Sequence, residues 1–107
     1  MYSILTSDKL NEVLTNYDVP SSFSHFNEPI APPFITWLSS STDNFNADNS
    51  VYQKVENLLV ELYTRGDTLE QEKKLESYFE ENEILWDKSS QTWIDEDKVM
   101  MSVYEVG

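Results

Sequence analysis

Leu10, Val13, Leu14 and Tyr17 follow the i, i+3, i+4, i+7 spacing of one helix face, with Leu5 close to it, and predict an amphipathic helix within residues 1–20. Ser7 stands as its N-cap and Asp8 falls in the first turn, toward the positive end of the helix dipole. Pro20 ends the run, because the residue before a proline avoids the α region. Residues 21–33 read as a connector, with Phe23 and Phe26 as apolar anchors and Pro29, Pro32 and Pro33 stiffening it. A strand is expected at Phe34-Ile35-Thr36-Trp37-Leu38, directly after the proline pair that cannot donate to a ladder. Ser39 to Ser50 then reads as a long polar loop, since Ser, Asn and Asp side chains bond their own backbone in turns. Loops of this length in a small domain are functional or mobile, and Phe45 in its middle is either a lid on the core or a partner contact.

The next block carries two patterns at once. Val51, Val55, Leu58, Leu59 and Leu62 make a helical stripe, with Ser50 and Gln53 placed as a capping box. Yet Leu58, Val60 and Leu62 also alternate with Leu59, Glu61 and Tyr63 as a strand would. Periodicity leans helical. Arg65-Gly66-Asp67 punctuates, and Asp67 with Glu70 opens a second helix running through Asn82. Its apolar face is Leu69, Leu75, Tyr78 and Phe79, and the Glu and Lys residues at 70–74, 76, 80 and 81 form its solvated face. Ile84-Leu85-Trp86 and Thr92-Trp93-Ile94 flank a polar turn, Asp87 to Gln91, and predict a hairpin. Asp95-Glu96-Asp97 turns the chain again into Lys98–Val106, where Val99, Met101 and Val103 share one face and Met100, Tyr104 and Val106 the other. A strand apolar on both sides is central or covered by a partner.

Length and composition bound these elements. The chain of 107 residues is expected to be a single domain, residues 1–107. Aromatic residues make up 13%, and each buries on the order of 150–250 Å², so a core is affordable despite a net charge of −13. Two glycines speak against a tight barrel of many primed turns and favour one sheet with helices and longer polar loops. With 20 acidic against 7 basic residues, nonspecific nucleic-acid binding and anionic membranes are disfavoured. Partners are therefore expected to be proteins with basic or apolar docking faces. No basic start precedes an apolar run at the N-terminus, so no signal peptide is expected, and no stretch approaches the roughly 20 apolar residues of a membrane span.

The chemistry is sparse. There is no cysteine, and the lone His25 has no second imidazole or thiolate to share a metal with. Asp95-Glu96-Asp97, or Asp43 with Asp48, lacks the ligand spacing and central glycine of a calcium loop. Without a phosphate-cradling loop, nucleophile elbow or zinc spacing, an enzyme is not expected, nor any cofactor or metal.

Taken in order, several short motifs resemble a family of small tail proteins from long-tailed, non-contractile phages of Gram-positive hosts. They are Pro32-Pro33-Phe34-Ile35, Asp43-Asn44-Phe45, Ala47-Asp48-Asn49, Val51-Tyr52 and Glu61-Leu62-Tyr63-Thr64. The Glu-rich helix from Asp67, Trp86 with Lys88, the Asp95-Glu96 turn and Tyr104-Glu105 complete the likeness, which spans the chain from about Val19. Members are described as tail-completion, tail-terminator or head–tail joining proteins. The resemblance implies an α+β fold in the order helix, strand, loop, strand, helix, then two or three strands. In that fold a small mixed sheet carries two helices and a long projecting loop, and residues 51–63 become a strand. It further implies a hexameric homo-oligomer ring in the neck of the virion, formed in the host cytoplasm. There it would contact the major tail tube protein and a head-completion, stopper or adaptor protein, engaging no membrane. Genome DNA would pass through the channel without specific binding, which acidic walls favour. Asp43, Asn44, Phe45, Asn46, Ala47, Asp48 and Asn49 are then the partner-binding residues. Phe45, Tyr52 and Trp37 are candidate interface anchors, the last two more in keeping with core. A rival from another class is a small acidic regulator or nucleic-acid mimic that inhibits a host protein.

Overall fold

The computed structural model describes residues 4–46 and 52–107, with side chains for 4–40 and 56–107. Its elements are α1 (Ser7–Thr15), β1 (Ser21–Phe23), β2 (Phe34–Asn46), β3 (Tyr52–Thr64), α2 (Thr68–Glu81), β4 (Trp86–Ile94) and β5 (Val99–Val106). The strands form one mixed sheet in the order β1-β2-β3-β5-β4, with β1 parallel to β2 and every other pair antiparallel. Two helices on a mixed sheet make the α+β fold expected.

Register sorts the side chains. Ile35 lies opposite Leu62, Trp37 opposite Val60, and Val60 and Leu62 opposite Tyr104 and Ser102. Opposed residues point to one face, and this face is buried under both helices: Leu58, Val60, Leu62 and Tyr104 pack with Leu10, Val13, Leu14, Leu75 and Phe79. Phe79 and Trp86 both meet Tyr104 edge-on, at ring separations of 6.0 and 5.7 Å. The alternation of Leu58 to Tyr63 is thus strand alternation, and the helical stripe from Val51 is coincidental. β3 is the middle strand, paired to β2 on one side and to β5 on the other.

Several expectations are corrected. Thr6, not Ser7, caps α1, its hydroxyl accepting from the Lys9 N–H at 3.2 Å. Ser7 instead gives its N–H and hydroxyl to the Glu56 carboxylate at 2.7 and 2.5 Å, placing an anion at the helix N-terminus. The helix stops at Thr15, before Pro20 acts: the Asn16 side chain caps the Glu12 carbonyl, and the Tyr17 N–H bonds three residues back to Leu14, tightening the last turn. Asp67 precedes α2 but makes no cap to its backbone, its carboxylate accepting from the Gln71 side chain. The far end closes as a Schellman motif with Glu83 in the left-handed region: Ile84 N–H reaches the Phe79 carbonyl and Glu83 N–H the Glu80 carbonyl. Asp87 to Gln91 is no turn. It lies within β4, an outer strand from which Lys88 and Gln91 reach in to Glu72 while Asp87, Ser89 and Ser90 are exposed, and the chain reverses only at Asp95–Lys98. Two strands, not three, follow α2, and the connector instead contributes β1.

The largest correction concerns the loop. Ser39 to Asn46 is strand, continuing β2 past a register shift at Ser39/Ser41 and pairing as far as Asn46 with Tyr52. Backbone hydrogen bonding to β3 outweighs the turn preference of Ser, Asn and Asp. β5 pairs β3 only over Leu58–Thr64 and β1 pairs β2 only over Ile35–Trp37, so from Ser41/Asn57 outward the sheet is a two-stranded arm. The radius of gyration, 15.0 Å, exceeds the about 13 Å of a compact domain of this length, and the long dimension reaches 52 Å.

The buried phenols give a testable pH dependence. Burial, with help from Asp18 and Tyr78, raises Tyr17 to about 12. Burial, then the bond to Glu76, raises Tyr104, and burial also leads the rises at Tyr63 and Tyr78. The folded chain therefore keeps protons that an unfolded tyrosine releases near pH ~10. Stability held below that pH is expected to fall as pH rises from about 10 toward 12. Phenolate absorbance should show a late-titrating group that rejoins the ordinary range in denaturant; all phenols titrating together in the folded protein would count against it.

Candidate functional site

Among the described residues no catalytic constellation gathers; what they offer are surfaces, and the two sheet margins differ. Along β4 a bulge lies between Lys88 and Ser90, and Lys88 turns inward to Glu72 at 3.3 Å. A bulge and an inward charge are devices that keep an outer strand from pairing with another chain. The opposite margin has only the short β1 over Ile35–Trp37, and beyond it β2 runs on as the outer strand of the arm. Glu56, bonded to Ser7, ties the base of the arm to α1.

Of the expected partner-binding residues, Asp43, Asn44, Phe45 and Asn46 lie on β2, opposite Val55, Lys54, Gln53 and Tyr52. Ala47, Asp48 and Asn49 lie outside the described residues. Of the candidate anchors, Trp37 is buried in the core, where Phe23 meets it edge-on at 4.9 Å while keeping 57% of its own surface exposed.

Both helices pack on one face of the sheet, and the other face keeps no helix. There Phe34 stacks on Tyr63 at 4.6 Å, and Phe26 of the connector meets Phe34 edge-on at 5.6 Å. Connector and sheet enclose an open groove of about 570 Å³ at this end, bordered by Ile30, Tyr63, Arg65 and Val99. Beyond it, half-buried Leu38, Leu59, Met101 and Val103 continue the face. Glu61 accepts from the buried Thr36 hydroxyl at 2.8 Å, and Asp87 stands directly opposite Glu105.

Sequence reasoning missed the most constrained polar group. Glu72, assigned to the solvated face, is 3% exposed. Its carboxylate accepts from Ser102 Oγ at 2.6 Å, Gln91 Nε2 at 2.7 Å and Lys88 Nζ at 3.3 Å, binding α2 to β4 and β5 together. One turn on, Glu76 accepts from the Tyr104 hydroxyl at 2.7 Å. The available signal was spacing, because Glu72, Leu75 and Phe79 sit at i, i+3 and i+7. Leu69, assigned to the buried face, is 70% exposed near the open end of the helix.

The acidic turn serves its own hairpin. Bonds from Lys98 and then Trp93 hold the Asp95 carboxyl below the usual carboxylate range, and the Arg65 guanidinium clasps the carbonyls of Asp97 and Lys98. His25 is exposed beside Ser24, and among the described residues no group of three or more His, Cys, Asp or Glu is placed to hold a metal ion. Nor, among them, is any helix long and apolar enough to cross a membrane. No protein-family model, curated protein or solved structure matches the chain.

Proposed function

We propose that this chain is a structural protein of a phage virion, a tail-completion or tail-terminator subunit. Copies assemble as a ring, hexameric by the resemblance, that ends the tail tube and joins it to the head connector. The observation that carries this reading is the arm. A two-stranded ribbon is marginally stable alone in water, so one that leaves its sheet is best supported by a neighbouring subunit. Its partners are then other copies of the chain, the major tail tube protein and a head-completion protein, first in the host cytoplasm and finally in the virion neck. The −13 charge suits a channel wall that lets DNA slide past without holding it.

Electron microscopy of the purified protein, and of virions labelled with an antibody to it, tests the proposal. Rings in solution and label at the head–tail junction are expected. A monomer at high concentration that captures a host enzyme, with virions unlabelled, would replace this reading with that of an acidic inhibitor.

A further inference from the structure

The sheet face turned away from the helices has an unbalanced chemistry. Leu38, Leu59, Met101 and Val103 give it an apolar centre on three adjoining strands. Around them stand Glu61, Glu105 and Asp87, and no lysine or arginine among the described strand residues shares that face. Lys88, the neighbour of Asp87, falls on the helix side by strand alternation, opposite Tyr104, and there meets Glu72. Asp87 and Glu105 are direct cross-strand neighbours, and like charges so placed repel. Of the other described cations, Lys9 pairs with Glu12, Lys74 with Asp18 and Lys98 with Asp95, Lys73 is exposed on α2, and Arg65, at the groove end of this face, is held by the carbonyls of Asp97 and Lys98.

We infer that this face docks a basic amphipathic helix of a partner protein, its apolar stripe on the centre and its Lys or Arg side chains over Asp87 and Glu105. Charge selects the occupant. A second copy laid face to face would set the same carboxylates against each other, and each chain already carries −13. Size selects the helix. From Leu59 to Tyr63 the face runs about 13 Å along the strands, and β2, β3 and β5 together span about 10 Å across them. That is the footprint of about nine helical residues. The docked helix gives the sheet a second apolar layer and leaves β5 covered on both sides. This inference is independent of the ring reading: peptide binding without rings leaves it standing, and rings without peptide binding do not rescue it.

The test is a nuclear magnetic resonance titration of the full chain with two synthetic helical peptides. One has a leucine stripe flanked by lysines, and its twin has glutamates in their place. Binding of the lysine peptide is expected, with amide shifts centred on Leu38, Leu59 and Val103, and none by the twin. The double variant Asp87→Lys with Glu105→Lys alters exposed side chains, so its circular dichroism should be unchanged. It should bind the lysine peptide about tenfold more weakly and gain affinity for the twin. Equal binding of both peptides, shifts confined to the helices or the arm, or self-association through Val103 would overturn the inference.

Discussion

Glu72→Ala is expected to destabilise the fold by about 2–4 kcal/mol, the largest loss from any single surface-type residue in this chain. Its carboxylate is nearly sealed from water and is the acceptor for Ser102, Gln91 and Lys88. Alanine leaves the Ser102 hydroxyl, itself 0% exposed, without that acceptor in a place water does not reach. Removing one member of a buried charged pair costs about 3–5 kcal/mol. The estimate here is lower because the Lys88 side chain is 37% exposed and can turn to solvent. Urea denaturation should show a lower midpoint with an unchanged slope, and the melting temperature should drop by roughly 10–20 °C. Glu72→Gln keeps one acceptor oxygen and should lose about half as much. A loss below about 0.5 kcal/mol for the alanine variant would show that the network contributes nothing to stability.

Shortening the arm should have the opposite profile, with little effect on the fold and complete loss of assembly. Thr42 and Glu56 are opposed residues, so replacing 43–55 by Asn-Gly closes the ribbon with a tight two-residue turn. The described core lies in Ile35, Trp37, Leu58, Val60, Leu62 and the elements packed on them, and Glu56 keeps its grip on Ser7. Stability should change by less than about 1 kcal/mol. Light scattering after gel filtration should then find a monomer where the full chain is expected to form rings. A truncated chain that still forms rings would move the contact away from the arm, and one that fails to fold would make the arm part of the domain itself.

The sequence carried much of this in period and punctuation. Leu10, Val13 and Leu14 announced α1, Leu75 and Phe79 the buried side of α2, and Phe34 to Leu38 the start of β2, because each pattern follows from which side of an element faces the core. Periodicity failed at Val51 to Tyr63, where one set of apolar residues fits both repeats, and the family resemblance pointed to the strand. It failed too at Asp87 to Gln91, since a polar run on an outer strand looks like a turn when neither Gly nor Pro marks it.

What the sequence by itself determined was the inventory: an acidic chain without cysteine, able to build one core, with two helices and a sheet in an order that local pattern and resemblance together supply. Only the tertiary structure decided what the polar residues do. Pairing across the sheet turned Ser39 to Asn46 from loop into arm, because a ladder partner satisfies backbone groups that turn residues would otherwise bond locally. Packing of α2 across β4 and β5 drew Glu72 inward, because three donors waited there for a carboxylate. Helical spacing marks the side of α2 on which Glu72 lies, but neither outcome is decided locally, since each depends on groups brought together from distant parts of the chain.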